Sequence, residues 1–122
     1  MAKILIVENS TLFRRLLKET LLSRYPKMEI SEAPNAEEAS KRVNGFTPDL
    51  MFVDIRLPGE SGLDFTRKIK NTHPNIPVII LTSYDFPEYR EAAKEYKADH
   101  FLSKDTTSKE DILKMVKSIL EK

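Results

Sequence analysis

The 122 residues are enough for one domain with its own core and too few for two ordinary domains. With 40% hydrophobic and 32% charged residues the chain reads as soluble and globular, and 20 Lys and Arg against 19 Asp and Glu leave a formal charge of +1, so no global field points to nucleic acid or a membrane surface. The lack of cysteine excludes disulfides, thiolate metal sites and a cysteine nucleophile, and no apolar run approaches the length of a membrane span.

The chain enters at once a strand-like run, Ile4-Leu5-Ile6-Val7, too short for a signal-peptide core and without a small-residue cleavage site, so the expected location is the cytoplasm. Leu12, Phe13, Leu16, Leu17 and Leu21 then form an apolar helical stripe with Arg and Lys opposite. A strand is predicted over Met28–Ala33, where Met28-Glu29-Ile30 alternates as an edge strand does. Ala36, Ala39 and Val43 carry a weaker helical stripe, opened by Asn35 and Glu38 at capping-box spacing. The continuous apolar run Leu50–Val53 precedes a helix from Gly62 to Thr72, which ends before Pro74. Val78–Leu81 is a third continuous run. Its helix carries Tyr89, Ala92, Ala93 and Tyr96, with Pro87, two residues after Asp85, suited to the first turn. A short Phe101–Leu102 run leads to a last helix with Ile112, Val116, Ile119 and Leu120, started by Thr107 and Glu110 at capping-box spacing.

Five strand–helix units in strict alternation predict an α/β, flavodoxin-like, doubly wound (βα)5 fold with five parallel strands in the order 2-1-3-4-5. One domain is expected over residues 1–122, standing alone or cut from a protein with a C-terminal output domain. In such a sheet the active crevice lies outside the carboxyl ends of the strands. There the apolar runs stop at Glu8-Asn9, Asp54, Thr82-Ser83 and Ser103-Lys104. Adjacent Glu8 and Asp54 repel, which favours a hard divalent cation such as Mg²⁺ between them, with the Asn9 amide oxygen as a further ligand. A phosphoryl group drawn to that cation meets an Asp54 oxygen in line to attack it. Lys104 can pair with Asp54 before and with a phosphoryl oxygen after, the Thr82 hydroxyl can donate to the same group, and the small Ser83 leaves room for it.

These residues, in the blocks Ile4-Leu5-Ile6-Val7-Glu8-Asn9-Ser10, Pro48 to Gly59 around Asp54, Gly62-Leu63-Asp64, Pro77 to Ser83 and Phe101-Leu102-Ser103-Lys104, resemble a bacterial two-component response-regulator receiver from Lys3 to Leu120. The resemblance implies that Asp54 is the phosphorylated aspartate, Glu8 and Asn9 the acidic pair, Thr82 the switch hydroxyl, Lys104 the invariant lysine and Phe101 the switch aromatic. It implies Mg²⁺ held also by the backbone carbonyl of Arg56. It implies a histidine kinase or phosphotransfer protein as donor, with small acyl phosphates as substitutes. The domain would then catalyse only its own phosphorylation and dephosphorylation. The switch would act on the face of the fourth helix, fifth strand and fifth helix, where Tyr84, Phe86, Tyr89, Tyr96 and Phe101 cluster in sequence. That face would serve an output domain, a partner protein or a homodimer formed on phosphorylation, with no direct nucleic-acid binding and no membrane. Tyr89 and Tyr96 also read as plain core residues at helical spacing.

Three departures stand out. Asn9 replaces the second acid, which predicts weaker Mg²⁺ binding and leaves open a degenerate receiver, an interaction module that works without phosphate. Asp105 replaces the proline common after the lysine, as in receivers that precede a helix-turn-helix output domain. Arg56 and Tyr84, two residues beyond Asp54 and Thr82, are bulky enough to hinder a hydrolytic water and predict a long-lived phosphoryl state. Rival chemistries fail on residue type. A haloacid-dehalogenase-type phosphohydrolase needs a second aspartate where Arg56 stands. Three glycines, Gly45, Gly59 and Gly62, write no phosphate-binding loop for a nucleotide or flavin. His73, between Thr72 and Pro74, reads as a surface loop residue and His100 as the start of the fifth strand, and neither has a partner set for zinc.

Overall fold

The three uninterrupted apolar runs occupy the centre of a parallel sheet, as strands covered on both faces must. The computed structural model describes residues 2–121. Its strands are β1 (Lys3–Val7), β2 (Glu29–Ala33), β3 (Leu50–Val53), β4 (Val78–Thr82) and β5 (His100–Ser103), all parallel in the order β2-β1-β3-β4-β5. Between and after them run α1 (Thr11–Arg24), α2 (Ala36–Phe46), α3 (Gly62–Thr72), α4 (Pro87–Glu95) and α5 (Lys109–Leu120). This is the flavodoxin-like doubly wound fold that the alternation predicts.

Because successive strand residues point to opposite faces, the sheet divides its apolar side chains into two cores. Leu5, Val7, Met51, Val53, Val78 and Ile80 face one way and meet Ala36, Ala39 and Val43 of α2, Phe65 and Ile69 of α3 and Ala93 of α4. Ile4, Ile6, Leu50, Phe52, Ile79 and Leu81 face the other way and meet Leu17 and Leu21 of α1 and Ile112, Leu113 and Val116 of α5. Each such fully buried side chain contributes about 1.5–3 kcal/mol, so the central strands anchor whatever projects from their ends.

Several local expectations shift. The stripe on α1 is only half covered: Leu17 and Leu21 are buried, whereas Leu12 and Leu16 remain 58% and 43% exposed. The fifth strand, by contrast, starts at His100 and ends at Ser103 as expected, these two pairing with Ile79 and Thr82 of β4. The N-cap of α5 is Ser108 rather than Thr107, and Asp111 rather than Glu110 closes the capping box. The run Thr106-Thr107-Ser108 offers two boxes one residue apart, and the one chosen turns Ile112, Leu113 and Val116 onto the sheet. Asn35 caps α2 as expected, its side chain accepting from the Glu38 amide. Pro87 takes the first position of α4, and no side chain caps that helix.

Candidate functional site

Strand register brings the acids together. Val7 pairs with Val53, and the ladder continues through the Asp54 amide to the Val7 carbonyl at 3.0 Å, so Glu8 and Asp54 leave neighbouring strands side by side. Both are buried, with 4% and 7% of their surface exposed. Lys104 follows β5, its amide held by the Thr82 carbonyl at 2.9 Å. Its Nζ donates to Glu8 Oε1 at 2.6 Å and to Asp54 Oδ2 at 3.3 Å. The other carboxylate oxygens are held from behind: Ser10 N donates to Glu8 Oε2 and Ile55 N to Asp54 Oδ1, each at 2.8 Å. The expected Lys104–Asp54 pair is therefore a three-body arrangement whose shorter bond goes to Glu8.

Two buried carboxylates facing one ammonium leave one negative charge in excess. Burial pushes the Glu8 carboxyl above its usual range, the Asp54 charge adds to this, and the bonds from Lys104 and Ser10 work against it. A site with surplus negative charge and oxygen-only donors fits a hard divalent cation. Among the described residues no three His, Cys, Asp or Glu side chains gather to hold a metal ion. A cation at Glu8 and Asp54 would thus depend on the Asn9 amide and the Arg56 carbonyl, and it would compete with the Lys104 ammonium for the same oxygens.

The remaining candidates lie around this triad. Asn9 and Arg56 sit exposed in the loops after β1 and β3. The Arg56 guanidinium lies over the Tyr84 ring, 4.6 Å from its centroid, so the two bulky side chains stack on each other. Thr82 ends β4, wholly buried, and its Oγ1 accepts from the Tyr84 amide at 3.2 Å. Phe101 lies in β5, half-buried against the core that faces α2, α3 and α4, together with Tyr89 and Tyr96. Phe86 is 51% exposed and meets Tyr89 edge-on at 5.9 Å.

Two supporting residues escape a reading of the sequence. Arg14 on α1 donates through Nη1 to the carbonyls of Glu8 and Asn9 and through Nε to Glu32 Oε1, which pins the loop carrying the acids. Gly62 opens α3 so close to β3 that a Cβ there would lie 1.8 Å from the Asp54 carbonyl oxygen. An arginine on a basic helix face carries no visible signal. A glycine at a helix start is a hint of close approach, but not of what it approaches.

A family model described as the response regulator receiver domain matches residues 4–117. The chain belongs to this family. Receivers act in two-component signalling together with histidine kinases and output domains. The chain is 35% identical over 104 residues to the sensory transduction protein LytT of Bacillus subtilis (strain 168), which covers 85% of this receiver and 42% of LytT. It spans about half or less of the length of the curated relatives first in similarity. Among solved structures, a CheY-like response regulator receiver domain protein from Methanospirillum hungatei JF-1 matches with a TM-score of 0.90 at 25% identity, over 99% of this receiver and 94% of that chain. The Mn²⁺-bound form of response regulator Rcp1 matches with a TM-score of 0.81 at 26% identity, over 98% and 91%. Among the described residues no helix is long and apolar enough to cross a membrane.

Proposed function

We propose that this receiver is a phosphorylation switch in which Asp54 accepts a phosphoryl group from a histidine kinase or phosphotransfer protein. The observation that carries this reading is the Lys104 ammonium shared by the buried carboxylates of Glu8 and Asp54. Asp54 Oδ1 is held by the Ile55 amide at 2.8 Å and Oδ2 more loosely by Lys104 at 3.3 Å, which favours Oδ2 as the attacking oxygen. That oxygen forms a bond to phosphorus as the bond from phosphorus to the donor imidazole nitrogen, or to the acetate oxygen of acetyl phosphate, breaks with its electron pair. Lys104 then pairs with a phosphoryl oxygen. The Thr82 hydroxyl, which accepts from Tyr84 N, keeps its own proton to donate to another. Mg²⁺ held by Glu8, Asn9, Asp54 and the Arg56 carbonyl would neutralise charge on the incoming phosphoryl group.

A protein donor must reach the carboxyl ends of the strands, and the uncovered Leu12 and Leu16 on α1 offer apolar surface beside that rim. The output would be a change at Thr82 and Phe101 transmitted to the face of α4, β5 and α5. An attached output domain, a partner protein or a second copy would read it. Phe101 has no hydroxyl, so its position rests on packing. The chemistry is confined to the domain's own aspartate, and the cytoplasm is the expected site of action.

Incubation with Mg²⁺ and acetyl phosphate is expected to add one phosphoryl group by intact mass, and Asp54→Asn is expected to add none. The shortage of acidic ligands around Asn9 favours one other reading, a phosphate-independent interaction module. No adduct from acetyl phosphate or from a histidine kinase would select it.

A further inference from the structure

Lys104 has a third neighbour besides its two carboxylates: its Nζ lies 4.1 Å from the centroid of the Phe13 ring. An ammonium has three donors, and here two meet carboxylate oxygens while the remaining side faces the aromatic. Only 14% of the Lys104 side chain is exposed, and attraction between a cation and a ring face is strongest where water is excluded. The same serine ties the ring to the acids. Ser10 N donates to Glu8 Oε2, while Ser10 Oγ accepts from Phe13 N at 3.1 Å as the cap of α1. Phe13 also lines the small cavity bounded by Glu8 and Asp54.

We propose that Phe13 is a positioning residue whose ring keeps the Lys104 ammonium over Asp54 while the carboxylates exchange partners. This rests on the phosphoacceptor reading above. The physical reason is a difference between the three neighbours. Glu8 and Asp54 are anions, and any dication or phosphoryl group entering the site redraws their bonds to Lys104. The ring is neutral, so it binds no entering cation in place of Lys104 through a full charge, and α1 fixes its place. A leucine would fill the space without offering a negative face. Lys104 would then follow whichever carboxylate the entering group left free, and Asp54 would meet the phosphoryl group without its cation in place.

The test replaces Phe13 by mono-, di- and trifluorophenylalanine, which keep the ring's shape and weaken its face step by step. The rate of Asp54 phosphorylation by acetyl phosphate at saturating Mg²⁺ is expected to fall stepwise, by roughly tenfold in all, at an unchanged melting temperature. Phe13→Leu should match the trifluoro ring, and Phe13→Tyr and Phe13→Trp should retain the rate. In parallel, NMR with isotope-labelled lysine should show the Lys104 ε-methylene protons displaced upfield by the ring current, and the displacement should vanish in Phe13→Leu. A rate indifferent to fluorination, in a chain that is phosphorylated on Asp54, overturns the role of Phe13 alone. An undisplaced signal overturns the contact whether or not the chain takes phosphate. A native chain that takes no phosphoryl group on Asp54 from acetyl phosphate or from a histidine kinase rejects the phosphoacceptor reading, and the positioning role with it.

Discussion

The guanidinium of Arg90 lies over the Phe101 ring, 4.6 Å from its centroid, while its Nε and Nη2 donate to the two carboxylate oxygens of Asp85. One side chain on α4 thus links the aromatic of β5 to the loop that begins after Thr82. Removing it should free the ring. Arg90→Ala and Asp85→Ala are both expected to change the NMR signals of the Phe101 ring, and signals identical to the native ones would show that the link holds nothing.

The same link predicts a pH response. The Arg90 hydrogen bond holds the Asp85 carboxyl below its usual range, so its contribution is complete above the unfolded pKa and is lost as pH falls through the lower folded value. The Phe101 signals should therefore show a step in acid below the usual aspartate range, and Asp85→Asn should abolish that step. A step that persists in Asp85→Asn would contradict the assignment to Asp85.

Lys104→Ala would leave Glu8 and Asp54 buried and facing each other with no cation. The expected cost is about 3 kcal/mol in metal-free buffer. Because a dication can take the place of the ammonium, the variant should gain more stability from Mg²⁺ than the native chain does. Urea unfolding with EDTA and with Mg²⁺ measures both, and equal gains would exclude competition between the two cations.

Asn9→Asp adds a formal charge to a donor set that has only two acids. Mg²⁺ affinity, followed by calorimetry, is expected to rise by about tenfold. An unchanged affinity would mean that position 9 does not reach the cation.

The stacked pair Arg56 and Tyr84 should act as one obstacle to water. Arg56→Ala and Tyr84→Ala are each expected to shorten the life of the phosphorylated state, and the double variant should shorten it no further than either alone. Rates equal to native in both single variants would sink the idea.

Gly62→Ala should be among the most damaging small substitutions, because its methyl would fall on the Asp54 carbonyl and force β3 and α3 apart. A loss of about 3 kcal/mol or more is expected in thermal or urea unfolding. Gly59, at φ +80° with open space around it, should cost only about 1 kcal/mol as alanine.

Much of this architecture is written in local pattern. Ile4–Val7, Leu50–Val53 and Val78–Leu81 are continuous because both faces of the central strands are covered, and the polar residues that stop them gather at the candidate site. What the pattern cannot carry is lateral choice. The edge strand β5 is short and only half covered, so periodicity marks only Phe101 and Leu102, and its ends are read from the polar residues His100 and Ser103 that flank them. On α1 the whole leucine stripe reads as buried, yet β-sheet surface is available for only part of it, and Leu12 and Leu16 stay outside. The roles of Arg14, Phe13 and Arg90 depend on which neighbour the fold sets opposite them, a matter of contact rather than spacing.

The bridge between Lys104 and Glu8 joins residues 96 positions apart, and the bond to Asp54 spans 50. The acids follow two neighbouring interior strands, whereas the ammonium arrives with the edge strand, after the other four have been made. A chain still short of β5, or one clipped before it, carries the aspartate without its counter-charge. The shared ammonium therefore doubles as a certificate that the whole receiver fold is in place, since a copy lacking β5 would hold the two acids with no cation between them.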